Sequence, residues 1–399
     1  MSAAIVPVLS NPRLRAASAI SMPGLIGCYL GVRFCLTFLF FQSDPRLGAT
    51  VGVAINLLLV IPIAIYTFGA TEIALRTMLR NPVVRLVFGY LALALASLLW
   101  SETASKAVAV TYWIALAADV ILVLLLIRSD GIELASKGLL KGYICGVALL
   151  CMVAWCAPTM QDLRLGDDEF LTPNGIGFEC AFAVLLCQYF APQGARWKWL
   201  GTLFALTLLR SLSKTTIVAF LIAEAFYLFR TTLFSRSTKI KVIAFAVLVT
   251  LAFSGLLANY YTVYINAGNQ AETLTGRTSI WIVTLGYALE APWFGHGFHS
   301  FRNIIPAFGA FQPWHAHNEF LQQFFTFGIV GVALVLSLYI AFYRICRRYK
   351  SHPFALTGVA MLVLIAIRGL ADTERFDISF PLWAIVSTSL LLTTGEAHP

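Results

Sequence analysis

Two histidines and an asparagine, His315, His317 and Asn318, stand directly before the long apolar run "EFLQQFFTFGIVGVALVLSLYI". An imidazole at the mouth of a hydrocarbon-facing segment is poorly placed unless it is used. Near neutral pH it can take a proton from a hydroxyl, which makes His317 a candidate general base and His315 a candidate neighbour to the same substrate. Cations suited to an anion lie upstream. Arg277 falls at or beside the start of an apolar-periodic segment, with Thr275 or Thr278 as N-cap, where backbone N–H groups and the helix dipole already favour negative charge. Its guanidinium fork matches a diphosphate. Arg210 and Lys214 lie four apart in "LLRSLSKTT", between two apolar runs. A cation within a span costs about 2.5–3.5 kcal/mol on insertion scales, and such residues usually line a pathway or cavity. The bland alternatives are snorkelling of Arg210 and Lys214 to headgroups and a surface helix carrying Arg277 in water.

Four of the six histidines, His296, His299, His315 and His317, cluster within 22 residues, which raises a metal site. The pairs lack the HExxH framework, and no carboxylate sits at a matching offset, so no metal is expected.

The elements that must position these groups follow from composition. The chain has 399 residues, 59% of them hydrophobic and only 12% charged. Soluble domains are usually about 45–50% apolar and about 25% charged. Apolar stretches long enough to cross a bilayer recur along the whole length, giving about twelve spans. They fall near 24–42, 50–69, 83–101, 107–127, 138–156, 174–192, 197–210, 213–230, 240–258, 317–343, 354–371 and 378–394. The run after Arg13 and Arg15 is too long for a cleaved signal and reads as the first span. The expected class is therefore all-α: a polytopic membrane protein with a nine-span bundle over 1–258, a large helix-containing loop over 259–316 and a three-span segment over 317–399. With the N-terminus inside, 18 of the 28 Lys and Arg fall on the cytoplasmic side and nine on the other. That bias predicts cytoplasmic termini and an external large loop. The +9 net charge thus reflects topology, and no nucleic-acid partner is expected. The eight cysteines form no CxxC pair and indicate neither a disulfide framework nor a zinc-thiolate site.

On these residues the chain resembles the O-antigen ligase and polysaccharide polymerase family. His317-Asn318, nine further residues and then Gly328-Ile-Val-Gly331 match the family's hallmark at the span after the large loop. "GRTSIW" followed by "PWFGHGF" looks like the family's loop start. The resemblance implies a GT-C-like fold and an inverting, metal-independent glycosyltransferase of the bacterial inner membrane, without a cofactor. It also implies an undecaprenyl-diphosphate-linked glycan donor, used on the periplasmic face. The acceptor would be either a growing polysaccharide or lipid A–core. Carried over by motif, Arg210 and Arg277 would bind the donor diphosphate and His317 would activate the acceptor. Lys214, Asn318 and His315 are further substrate-contact candidates. Gly328 and Gly331 are expected to allow close helix packing beneath the site.

Within the family, one polymerase branch carries Gly sixteen residues after the arginine, where this chain has Trp293. "SLSKTT" and "TPNGIGFECAF" look more like exopolysaccharide polymerases, so the reading leans to polymerase over ligase. A transporter or flippase is the rival of a different class, with Asp119, Glu179 and Glu224 as proton-coupling candidates. The lopsided nine-plus-three layout, without paired halves, speaks against it.

Overall fold

The computed structural model describes residues 21–41, 45–67, 75–157, 171–231, 254–266, 274–308, 312–373 and 381–394, with scattered positions between them. Expectations for Arg13, Arg15, Arg375, the Thr275 side chain and much of the ninth span lie outside the described residues.

Helices are the regular structure of the described residues, joined by turns and loops. In order the principal helices are α1 (Met22–Phe41), α2 (Pro45–Thr67), α3 (Pro82–Ser97), α4 (Lys106–Asp130), α5 (Ile132–Cys156), α6 (Pro173–Phe190), α7 (Ala195–Ser211), α8 (Lys214–Arg230), α9 (Ser254–Asn266), α10 (Leu274–Glu290), α11 (Glu319–Arg348), α12 (Ala355–Gly369) and α13 (Leu382–Thr393). Caps readable in the sequence set several starts. Asn81, Ser105, Thr172 and Asn318 each accept a hydrogen bond from a backbone N–H of the first turn, and Pro82 and Pro173 sit where the missing N–H costs nothing. Four helices are long and apolar enough to cross a bilayer, Lys106–Asp130, Ile132–Cys156, Pro173–Gln193 and Glu319–Arg348, and four shorter apolar helices accompany them. This is a helical membrane protein.

Helices α1 and α5 pack closest. The motif "GLIGCYLG" of α1 faces Gly138, Gly142 and Gly146 of α5, and a Cβ on Gly27 or Gly142 would stand 2.0 Å from a backbone carbonyl oxygen of the other helix. Such contact gains dispersion that lipid cannot supply, because hydrophobic burial between spans is weak in a bilayer.

Two features depart from the sequence reading. Helix α9 runs to Asn266, eight residues into the segment read as loop from 259. The tenth span is not one straight helix. Gly328, at φ 64° and ψ −159°, breaks α11 into limbs 319–327 and 329–348. Tyr339 donates to Glu319 of the other limb, although twenty residues of straight helix would separate them by about 30 Å. The limbs therefore fold back on each other. The glycine pair does not merely lighten a helix face; Gly328 turns the chain.

The segment Pro292–Phe298 clamps this turn. Its Pro292 carbonyl accepts from the Ile329 N–H at 2.9 Å, while the His296 and Gly297 N–H groups donate to the carbonyls of Phe325 and Thr326 at 2.9 Å each. These bonds satisfy backbone groups that a broken helix leaves open. A Cβ on Gly328 would lie 2.3 Å from the Trp293 carbonyl carbon, and one on Gly295 2.4 Å from that of Thr326. The same segment is tied to the α3–α4 connection. Ser97 and Ser101 bond the Phe298 backbone at 3.0 and 2.6 Å, and Glu102 meets His296.

Candidate active site

The turn between α7 and α8 holds the first part of the site. Helix α7 ends on Leu212, whose φ of 54° lies in the left-handed region and reverses the chain in two residues. Lys214, Thr215 and Thr216 then form the first turn of α8, whose N-cap residue Ser213 makes no side-chain cap bond. Instead, the Ser213 hydroxyl donates to Asn174 Oδ1 at 2.9 Å and lies 2.9 Å from Thr216 Oγ1, joining this turn to the start of α6.

Arg277, in the first turn of α10, reaches the same place. It is only 5% exposed, and its Nη1 donates to Thr215 Oγ1 at 2.8 Å and to the Ala371 carbonyl. Its Nε is buried without a hydrogen-bond partner. The helix begins at Leu274, so Thr278 lies past its first turn and is not the N-cap. Trp281, one turn on, donates to the Ala316 carbonyl at 2.9 Å and holds α10 against the histidine segment.

His317 sits just before the N-cap of α11 at φ 49°. A non-glycine residue there carries about 1–3 kcal/mol of strain, which the surroundings must hold. Those surroundings are dense. The Ala316 N–H donates to Gln322 Oε1 at 2.7 Å, and the His317 N–H donates to His315 Nδ1 at 3.2 Å. Asn318 uses both ends of its amide structurally: Oδ1 caps Leu321 at 3.0 Å and Nδ2 donates to the Leu370 carbonyl at 2.8 Å.

Two residues that the sequence reading did not assign complete the cluster. Asp372, 2% exposed, places Oδ1 3.3 Å from His317 Nδ1, and its Oδ2 accepts from Arg368 Nη2 at 3.0 Å. Arg368, 1% exposed, also donates through Nε to Thr216 Oγ1 at 3.2 Å and lies over the Phe178 ring at 4.6 Å. A continuous chain of polar contacts therefore runs Asn174–Ser213–Thr216–Arg368–Asp372–His317. Arg368 and Asp372 are one helical turn apart at the end of an apolar run, a spacing that marks a local ion pair. Nothing in the sequence ties that pair to His317, 51 and 55 residues away.

The electrostatics follow from this geometry. Burial alone would raise the Asp372 pKa. The Arg368 guanidinium, the His317 hydrogen bond and Arg277 outweigh it and hold the carboxyl well below the usual range. An ionised carboxylate facing His317 Nδ1 puts the ring proton on that nitrogen and leaves the Nε2 lone pair free to accept. This is the orienting role that an acidic group plays toward a catalytic histidine. Burial, with the neighbouring His317 and the two arginines, pushes His315 well below the ordinary histidine value despite the opposing pull of Asp372.

Of the four clustered histidines only two enter the site. His296 Nδ1 lies 2.7 Å from the Glu102 carboxylate and Nε2 2.9 Å from the Tyr287 carbonyl, while His299 stacks on Tyr112 at 4.8 Å. Both brace the clamp. Ligand atoms of His315, His317 and Asp372 lie within 4.8 Å of one another, so the missing carboxylate comes from the far side of α12. That carboxylate is already balanced by Arg368, with Arg277 near, an environment that opposes a further dication.

Arg210 is half-buried in the last turn of α7, and Lys214 is half-buried directly beside Thr215. The structure thus brings Arg277, His315 and His317 together with Thr215 and Thr216, and sets Arg210 and Lys214 on the same short turn. Helices α7 and α8, with 17 residues each, and α12, with 15, end at this cluster. Their lengths are roughly 26 and 22 Å. A hydrocarbon core is about 30 Å thick.

Residues 199–336 match the family model described as O-antigen ligase. Over this segment the chain is similar to the O-antigen ligase family. The matched segment spans Arg210, Lys214, Arg277, His315, His317 and Asn318; Arg368 and Asp372 lie beyond it. The match and the apolar helices support a glycosyltransferase-type role in polysaccharide assembly at a membrane. No curated protein matches the chain.

The acids considered for proton coupling have partners. Asp119 pairs with Arg33 at 2.7 Å and Asn56 at 3.2 Å, Glu179 accepts from Tyr143, and Glu224 accepts from Gln188 at 2.7 Å. Each sits in a closed contact within the helix bundle.

Proposed function

We propose that this protein transfers glycan from a polyprenyl diphosphate, such as undecaprenyl diphosphate, to a sugar hydroxyl, with His317 as general base. The observation that carries the reading is the His317–Asp372–Arg368 chain beside Arg277. A base oriented by a carboxylate stands next to a buried cation whose Nε has no internal partner.

The division of labour is simple. As the bond from the anomeric carbon to the diphosphate oxygen breaks, negative charge grows on the leaving group. Arg277, the positive end of the α8 dipole, Lys214 and Arg210 would stabilise that charge. The acceptor oxygen attacks from the opposite side, and its proton passes to His317 Nε2. Inversion at the anomeric carbon follows from a single in-line displacement. Asp372 holds the ring and balances the imidazolium that forms, and Arg368 holds Asp372. His315, kept neutral by its surroundings, adds no competing charge beside the base. The site would lie near the level of lipid headgroups, where a lipid-anchored diphosphate arrives on its tail. The site would face the periplasm of an inner membrane with both termini cytoplasmic.

The acceptor would be the end of a growing polysaccharide, with a lipid A–core sugar as the other candidate. The test is purified protein in liposomes with a lipid-diphosphate-linked repeat and no ion gradient. Products of increasing length support polymerisation, and one transfer onto core oligosaccharide supports ligation. No transfer to either acceptor, with the protein folded and donor bound, removes the reading.

A further inference from the structure

His317 is held in a backbone conformation that it would not keep by itself. Its φ of 49° lies in the left-handed region, where a side chain is disfavoured. The ordinary right-handed value is near −60°, so relaxation would turn the residue through roughly 110° about its N–Cα bond and break the alignment of the ring with Asp372. Whatever opposes that rotation must grip the chain just before His317. Two side chains do so, and both close on Ala316. Trp281 Nε1, from α10, donates to the Ala316 carbonyl at 2.9 Å, and Gln322 Oε1, from the first limb of α11, accepts from the Ala316 N–H at 2.7 Å. Ala316 is 0% exposed and belongs to the apolar cluster that includes Ile280, Phe301 and Phe325. Buried there, its N–H and C=O cannot turn to water if a partner is lost.

Gln322 is itself fixed. It is fully buried, and its Nε2 donates to Thr326 Oγ1 at 3.1 Å. Thr326 in turn accepts at its carbonyl from the Gly297 N–H of the clamp at 2.9 Å. The Gln322 backbone N–H donates to the Asn318 carbonyl at 2.9 Å, so the same residue also grips the chain just after His317. One buried amide therefore links the clamped turn at Gly328 to the segment that carries the imidazole. Its neighbour Gln323 is equally buried but reaches Tyr90 of α3 at 3.4 Å and makes no bond to the histidine segment.

From these contacts, and resting on the reading of His317 as the acceptor-activating base, we propose that Gln322 and Trp281 are positioning residues for that base. They act through the Ala316 backbone, not on either substrate. Gln322 holds the peptide entering Ala316 and Trp281 the peptide leaving it, so His317 keeps its left-handed φ and its Nε2 stays aimed at the acceptor hydroxyl. Supporting side chains of this kind decide whether a reacting group is in place or merely nearby. Through Thr326 and Gln322, the clamp on Gly328 becomes part of the apparatus that aims the base.

The test uses full-length protein in liposomes with a lipid-diphosphate donor and an acceptor oligosaccharide, each variant checked for folding by its thermal unfolding. Transfer by wild type and its loss in His317→Ala establish the underlying reading; absence of either removes that reading and this proposal with it. With both in hand, Gln322→Met, which keeps length and burial but makes neither bond, should lower kcat about tenfold to a hundredfold, the scale of a misplaced reacting group. Trp281→Phe, which removes the N–H and keeps an aromatic ring, should lower kcat about fivefold or more. Donor and acceptor KM should stay within about twofold, because neither side chain meets a substrate. Gln322→Glu is the rescue. Burial keeps the new carboxyl neutral, so its C=O accepts from Ala316 and its O–H donates to Thr326, and kcat should return to within about fivefold of wild type. Gln323→Met is the control and should leave kcat unchanged. An unchanged kcat in Gln322→Met overturns the proposal, as does a loss carried by KM or a Gln322→Glu protein as slow as Gln322→Met. If Gln322→Met does not fold, Trp281→Phe decides: a lower kcat with both KM values unchanged supports the assignment, and a wild-type kcat overturns it.

Discussion

His317 Nδ1 and Asp372 Oδ1 stand 3.3 Å apart although 55 residues separate them in the chain. The contact joins the start of α11 to the end of α12 and gives the imidazole one defined orientation. Asp372→Asn should therefore lower transfer by roughly 10²–10⁴, through loss of the tautomer and of the counter-charge. Initial rates in liposomes measure it. The double variant with His317→Ala should be no slower than His317→Ala alone, since the two act as a unit. Multiplying losses would separate them.

Arg277 should be irreplaceable by lysine. Its Nη1 binds Thr215 and Ala371, leaving Nε for an incoming anion, a division of labour that one ammonium cannot reproduce. Arg277→Lys and Arg277→Ala should each abolish measurable transfer and weaken retention of lipid-linked donor, with the helical circular dichroism unchanged. Near-normal rates in Arg277→Lys would refute the fork.

His315 supplies a pH signature. Its folded pKa lies below the unfolded value of 6.5, so the unfolded chain takes up the proton first as pH falls. This residue's contribution to stability is complete above about pH 6.5 and declines as pH drops from there toward the depressed folded value. His315→Gln should flatten the acid side of a plot of melting temperature against pH between about 6.5 and 5, and leave the side above pH 7 unchanged. An identical acid side in both proteins would remove the assignment.

Gly328→Ala should fail through the backbone. The left-handed φ costs a side chain about 1–2 kcal/mol, and the added carbon would meet the Trp293 carbonyl carbon at 2.3 Å. The expected outcome is poor membrane accumulation or a markedly lower melting temperature. Gly286→Ala on α10, where nothing lies within 4 Å of the added carbon, is the control and should be silent.

Transfer should survive a strong chelator. Loss of activity that returns on adding a divalent cation would reassign His315, His317 and Asp372 as ligands.

Hydropathy and caps read well where one physical signal decides. Helices α1, α4, α6, α8 and α12 start and end within a few residues of the expected spans, because apolar length sets them. Arg277 and His317 were legible because charged or titratable groups stand out beside hydrocarbon. The break at Gly328 was not, since the apolar pattern continues through it and the clamp that fixes it comes from Pro292–Phe298. Nor was Asp372. Its meaning comes from packing α12 against α8 and α11, and the sequence offers only an Arg–Asp pair four residues apart. Asn318, read as a substrate contact, also has a structural use that the cap pattern announces, since its amide caps α11 and reaches the Leu370 carbonyl.

The clamp on Gly328 bears on how such proteins can be recombined. Because the Trp293 backbone and the bend occupy complementary space, "APWFG" and the start of "GIVG" are one fitted part made from two stretches of chain. Exchanging loops with a homologue to alter sugar choice should succeed only when the crossovers fall outside 291–331, so that bend and clamp come from the same parent.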